Sequence, residues 1–108
     1  MKTDPECPTL YDLTQAAHQD SKRWFPEHCN DLQYHVLSLV GEAGETANAL
    51  KKGLRGSLTY NEALNEVGKE SIDVFIYLLN IWAILGIDPL EALRMKTELN
   101  EDRFGGDK

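Results

Sequence analysis

Two pairs of acidic residues carry the spacing of a metal-binding helix face. Glu42 and Glu45 stand three apart in VGEAGE, and Glu70 and Asp73 stand three apart in ESID. On a helix each pair shares one face; at 100° per residue Glu66 joins the second face and His35 the first. Facing one another at about 6 Å, each like-charged pair costs about 3 kcal/mol at an effective dielectric of ~20, which divalent cations remove. All-oxygen ligation by Glu42, Glu45, Glu70 and Asp73 suits Mg²⁺, with Mn²⁺ as substitute, and Mg²⁺ keeps positions open for water and phosphate oxygens. An acid pair at this spacing more often decorates a solvated helix. Asp73 sharpens the reading, as the only charged residue from Ser71 to Ile87. Burying an unpaired carboxylate costs several kcal/mol, so a buried Asp73 requires a compensating charge.

Other metal chemistries fit less well. An iron-carboxylate bundle needs a histidine three residues after a glutamate, and His18, His28 and His35 follow none at that spacing. The alternating acids of a calcium loop are absent, and Cys7 and Cys29 form neither a CxxC pair nor a Cys/His cluster.

A second constellation is cationic. Lys96, Asn100 and Arg103 fall at i, i+4 and i+7, a face able to grip a polyphosphate, although cations near a helix C-terminus also complement its dipole. Tyr77 and Asn80 extend the Asp73 stripe by one and two turns. Trp24 and Phe25, before Pro26, suit core packing ahead of stacking on a nucleobase. Lys51, Lys52 and Arg55 flank a glycine-rich link as a solvated loop or a phosphate clamp.

Four helices must position these groups. Capping chemistry predicts a first helix opening at Thr9 with Asp12 and running to about Lys22. A second opens at Asn30 with Gln33 and runs to about Lys52; a third opens at Thr59 with Glu62 and stops after Leu85 at Gly86. Asp88 and Pro89 start a fourth that ends near Arg103, leaving Gly105 to Lys108 as a frayed tail. No alternating β-branched run survives this parse, so the expected class is all-α, a four-helix-bundle-like single domain over 1–108. The third helix is apolar nearly all round from Ile72 to Leu85, more than a lone bundle needs, which predicts a dimer or larger oligomer.

Composition narrows the partners. Eighteen acids against eleven Lys and Arg give a formal charge of −7, which repels nucleic-acid polymers. The N-terminus has no apolar signal core, and the most apolar stretch is short and carries Asp73 and Asn80, so the expectation is a cytoplasmic protein without a membrane partner.

VGEAGE, ESIDVFIYL and KTELNEDRF, in that order, resemble the all-α nucleoside triphosphate pyrophosphohydrolases of the MazG and dCTP pyrophosphatase type. The resemblance covers about 30–104 and lies in the ordered combination ExxE, ExxD and KxxxNxxR. It implies Mg²⁺ ligation by Glu42, Glu45, Glu70 and Asp73, with phosphate contacts from Tyr77, Lys96, Asn100 and Arg103. It also implies hydrolysis of a nucleoside triphosphate to monophosphate and pyrophosphate by a helical dimer or tetramer, often on unusual or surplus nucleotides. Many relatives carry a second Glu where this chain has Gly41, which resembles the dCTP pyrophosphatase branch, and a small residue where it has Ile72. The competing expectation is a helical protein that binds metal-nucleotide without turnover; a third is a structural helical dimer with a solvated acidic face.

Overall fold

The computed structural model describes residues 7–106, whose secondary structure is all helix, with no strand among them. Helix α1 spans Leu10–Trp24, α2 Leu32–Leu54, α3 Tyr60–Leu85 and α4 Pro89–Asn100. Two of the expected capping boxes form: Thr9 with Asp12 and Thr59 with Glu62 each exchange side-chain and backbone hydrogen bonds. The second start is corrected by one residue. Asp31 caps α2 by accepting the Tyr34 amide at 3.1 Å, while Asn30 Oδ1 meets His18 Nε2 at 2.9 Å and ties the α1–α2 loop to α1. A shorter correction applies to α4, whose α-helical bonding ends at Asn100 and continues as a π-helical turn, Glu101–Gly105. That wider turn moves Arg103 out of the register linking it to Lys96 and Asn100, and its guanidinium lies 4.9 Å from the Phe104 ring centroid. Of the expected frayed tail, residues 107 and 108 lie outside the described residues.

Helices α2 and α3 form an antiparallel hairpin with the largest interface in the molecule, and α1 packs on α3. The interior is built largely from small side chains, with Ala16 and Ala17 on α1, Ala49 on α2 and Ala63 on α3 buried, as is Leu79 on α3. Small residues let helix axes approach closely, which is what brings side chains of α2 and α3 within bonding distance of one another.

The fourth helix stands off. Gly86 closes α3 with φ of 68°, a left-handed conformation that glycine adopts without strain, and α4 leaves at 97° to α3. Only Pro89 of α4 is buried, and its main tertiary contact is with α1. So three helices pack and the fourth does not close a bundle within one chain. The radius of gyration, 16.8 Å, exceeds the roughly 13 Å of a compact domain this long. Leu37, Val40, Leu54 and Ile72 on the hairpin, and Leu93, Met95 and Leu99 on α4, are exposed apolar side chains. No single helix among the described residues is long and apolar enough to cross a membrane.

Gly53 marks a close approach in the hairpin: a Cβ there would lie 2.5 Å from the Ala63 Cβ, and Ala63 is fully buried. Gly53→Ala is therefore expected to lower the melting temperature, because overpacking costs about 1–3 kcal/mol against a helix-propensity gain of about 1 kcal/mol. Gly68→Ala, with nothing within 4 Å, should raise it. Equal shifts of the same sign in both variants would show that α2 and α3 do not pack this closely.

Candidate metal centre and adjoining cavity

Glu42 on α2 and Glu70 and Asp73 on α3 each offer one carboxylate oxygen, and these three lie within 4.8 Å of one another. Glu70 and Asp73 share a face because they are three apart on α3, and Glu42 meets them across the hairpin. Among the described residues no Lys or Arg pairs with any of the three. Like charges this close push protons on: Glu42 titrates above the ordinary 4.5, first because its carboxyl hydrogen-bonds with Glu70, then through desolvation and the charges of Asp73, Glu70 and Glu45. Oxygen-only donors with spare lone pairs and no cationic partner are what a hard divalent cation takes, so these residues fit Mg²⁺ or Mn²⁺.

Two expectations about the acids change. Asp73 is exposed in the single chain, so its solitude in an apolar stretch is not answered by burial, and the argument for a cation rests on proximity to Glu42 and Glu70. Glu45 stands outside the trio, lining a small neighbouring cleft with Glu66, Glu70 and Lys52. Ile72 is exposed, so its branched side chain does not wedge between the metal-face helices.

Beside the trio lies a cavity of about 550 Å³ between α1, α2 and α3. Glu42 and Asp73 are part of its wall, with Tyr77, Ile76 and Asn80 from α3, Tyr34 and His35 from α2, and Ser21 and Trp24 from α1. Trp24 and Phe25 also line it and are 62% and 51% exposed, so they border the cavity instead of filling the core. A ladder of rings enters from the α1–α2 loop. His28 stacks on Tyr34 with centroids 4.2 Å apart, Tyr34 meets His35 edge-on at 5.3 Å, and His35 lies 5.9 Å from Tyr77. Burial pushes the Tyr77 hydroxyl above its usual range, with Ser38 opposing. Burial likewise lowers the His35 pKa, against the backbone of His28 and Cys29, and favours a neutral ring.

The structure thus brings together Glu42, Glu70, Asp73 and Tyr77, with His35 and Asn80 on the same cavity. Lys96, Asn100 and Arg103 are exposed and line no part of it. Sequence reasoning singled out Trp24 of α1 but missed Ala17 and Ser21. Ala17, Ser21 and Trp24 fall at i, i+4 and i+7, the stripe α1 turns to the cavity, but two small residues and a tryptophan read as ordinary packing. Asp20, also on that wall, forms a hydrogen-bonded ion pair with Arg23. Comparison of the chain with protein-family models and with curated proteins gives no match.

A carboxyl whose folded pKa is raised stabilises the fold fully below its unfolded pKa, and that contribution is lost as pH rises through the folded value. In EDTA, raising pH from 4.5 toward neutrality should therefore remove a stabilising contribution that Glu42→Gln removes from the titration. Millimolar Mg²⁺ or Mn²⁺ at neutral pH should raise the melting temperature of the wild type and not of Glu70→Gln. Identical pH slopes in wild type and Glu42→Gln, with no response to either cation, would leave the trio an ordinary surface cluster.

Proposed function

We propose that the chain is a Mg²⁺-dependent nucleotide pyrophosphohydrolase that converts a nucleoside or deoxynucleoside triphosphate to its monophosphate and pyrophosphate. The observation that carries this reading is the unpaired trio Glu42, Glu70 and Asp73 set on the rim of an aromatic cavity. A cation-binding carboxylate cluster addresses phosphates, and a cavity walled by rings accepts a base, so a nucleotide satisfies both. The order of ExxE, ExxD and KxxxNxxR along the chain supports the same reading by resemblance.

Glu42, Glu70 and Asp73 would hold the cation. Mg²⁺, when bound, supplies charge neutralisation at the phosphates and lowers the pKa of water. In the reaction a water oxygen bonds to the α-phosphorus, the bond from that phosphorus to the bridging oxygen breaks, and pyrophosphate leaves. The water's proton passes to a carboxylate: Glu45, exposed and outside the trio, or Glu42 itself. Tyr77 borders the path between trio and cavity, where its hydroxyl can meet a phosphate or sugar oxygen.

The cationic face of α4 belongs to this reading through a second copy of the chain. Lys96 and Arg103 stand on an arm that leaves its own bundle, and exposed apolar side chains run along both that arm and the hairpin. A homodimer or homotetramer that covers those side chains would carry one chain's Lys96 and Asn100 to its partner's trio, to stabilise charge on the phosphate chain.

The deciding assay is release of pyrophosphate and monophosphate from a panel of triphosphates with Mg²⁺, with Mn²⁺ and with EDTA. Wild type should cleave only with metal, and Glu42→Gln and Asp73→Asn should lose turnover by about 100-fold or more while keeping the helical circular dichroism signal. Nucleotide that raises the melting temperature with Mg²⁺ but is never cleaved would favour a binding protein without turnover; no response at all would end the reading. Mixing Asp73→Asn with Lys96→Ala, each impaired alone, should restore activity in mixed oligomers. No recovery from subunits shown by light scattering to exchange would confine α4 to a scaffold role.

A further inference from the structure

Helix α2 carries a second apolar stripe besides the one that packs on α3. Val36, Val40, Ala43, Ala47, Leu50 and Leu54 fall at alternating spacings of four and three, the pattern of a helix that packs on another, and all six are exposed. At 100° per residue this stripe runs about 120° round α2 from Glu42, which faces α3. On α3, Leu64, Val67, Ser71 and Val74 repeat the spacing about 80° round from Glu70, in the same sense. The two helices are antiparallel and meet at Glu42 and Glu70, so equal senses of rotation carry both stripes to one side of the hairpin. Neither stripe holds a charged residue, in a chain of which 27% is charged.

Size, shape and charge identify what covers this face. From Val36 to Leu54 it is about 27 Å long, and two helices make it about 20 Å wide, an outline of roughly 500 Å² on each of two copies and so the scale a specific interface must reach. The α2 stripe also reads alike from both ends, with branched side chains outside and alanines at the centre. Reversed about residue 45, Val36 meets Leu54, Val40 meets Leu50 and Ala43 meets Ala47, each outer pair joining a larger side chain to a smaller one. A surface that complements itself on reversal is what a twofold interface requires, and the central alanines let the helix axes approach. Charge selects the same arrangement. Lys51, Lys52 and Arg55 gather at the tip of the hairpin, where α2 turns into α3, whereas Asp31 and Asp88 cap helices at its other end. Antiparallel pairing sets each cationic tip beside the acidic end of the other copy, while tip-to-tip pairing would oppose like charges.

We infer that this face seats a second copy of the chain, with the two α2 helices antiparallel about a twofold axis level with Glu45. That gives the second copy invoked for the proposed function a face and a register, and it stands without any nucleotide chemistry. Asp73 lies about 140° round α3 from the stripe, so pairing closes one side of the hairpin and leaves that carboxylate open on the other.

The test combines solution mass by light scattering with disulfide cross-linking. Wild type should have at least twice the mass of one chain. Ala47→Glu puts a charge at the centre of the stripe, on a residue exposed in the single chain, and should lower that mass by half or more with the helical circular dichroism signal kept. For the register, Val40→Cys and Leu50→Cys chains, each also carrying Cys7→Ser and Cys29→Ala, are co-expressed and oxidised. Together they should cross-link and neither should alone, because each position lies about 15 Å along the axis from its own copy, beyond disulfide reach. A monomeric wild type, or an unchanged mass in a folded Ala47→Glu, overturns the assignment. So does a co-expressed pair that stays unlinked, or either variant linking to itself as readily as to the other. None of these readouts uses metal or nucleotide, so their failure is distinct from failure of the pyrophosphohydrolase reading, which the turnover assay decides.

Discussion

Repulsion among three carboxylates is the constraint around which the molecule is arranged. Glu42, Glu70 and Asp73 are held close by the α2–α3 interface, and among the described residues no Lys or Arg forms an ion pair with them. Surface charges left to themselves would swing apart, since exposed side chains move freely and gain nothing from crowding. What keeps them together is backbone proximity, set by Gly53 against Ala63 near one end of the hairpin and by Leu79 and Ile81 toward the other. Tight packing elsewhere thus sustains a locally unfavourable cluster, the pattern expected where a site is maintained for what it binds.

The cavity adds an unfavourable feature of another kind. Here the difficulty is desolvated polarity without partners, in Ser21 Oγ and Asn80 Oδ1, beside the cavity's rings. Helix α1 supplies one wall and the loop after it supplies His28, whose stacking on Tyr34 fixes the first rung of the ladder leading to His35. The site thus has an acidic rim and an aromatic interior.

Much of this was legible from local chemistry. Thr9 with Asp12, Thr59 with Glu62, Gly86, and Asp88 with Pro89 each announce a helix boundary through groups only a few residues apart, and those boundaries stand. Asn30 and Asp31 offer nearly equal caps, and the choice fell to a tertiary bond, His18 with Asn30, that no local pattern contains. Three of the four acids converge because helical spacing and a hairpin suffice to place them. Glu45 departs because the face it shares with Glu42 turns toward Glu66 and Lys52 lower on the hairpin. Asp73 looked buried because its neighbours are apolar, yet apolar neighbours at Ile72 are themselves exposed in the single chain. The α1 wall went unread because Ala17 and Ser21 carry no distinctive chemistry until a cavity forms against them. The register of Lys96, Asn100 and Arg103 assumed a continuous α-helix, and the π-helical turn after Asn100 breaks it.

The placement of the acidic trio also bears on the order of assembly. Its members sit on the two arms of one hairpin, so they meet through contacts between helices adjacent in sequence, and contacts of that kind form early on a folding pathway. The repulsion among them therefore opposes closure of the hairpin itself. A divalent cation that neutralises them would act on the rate at which the chain folds as well as on the stability it reaches, coupling ion supply to the kinetics of maturation.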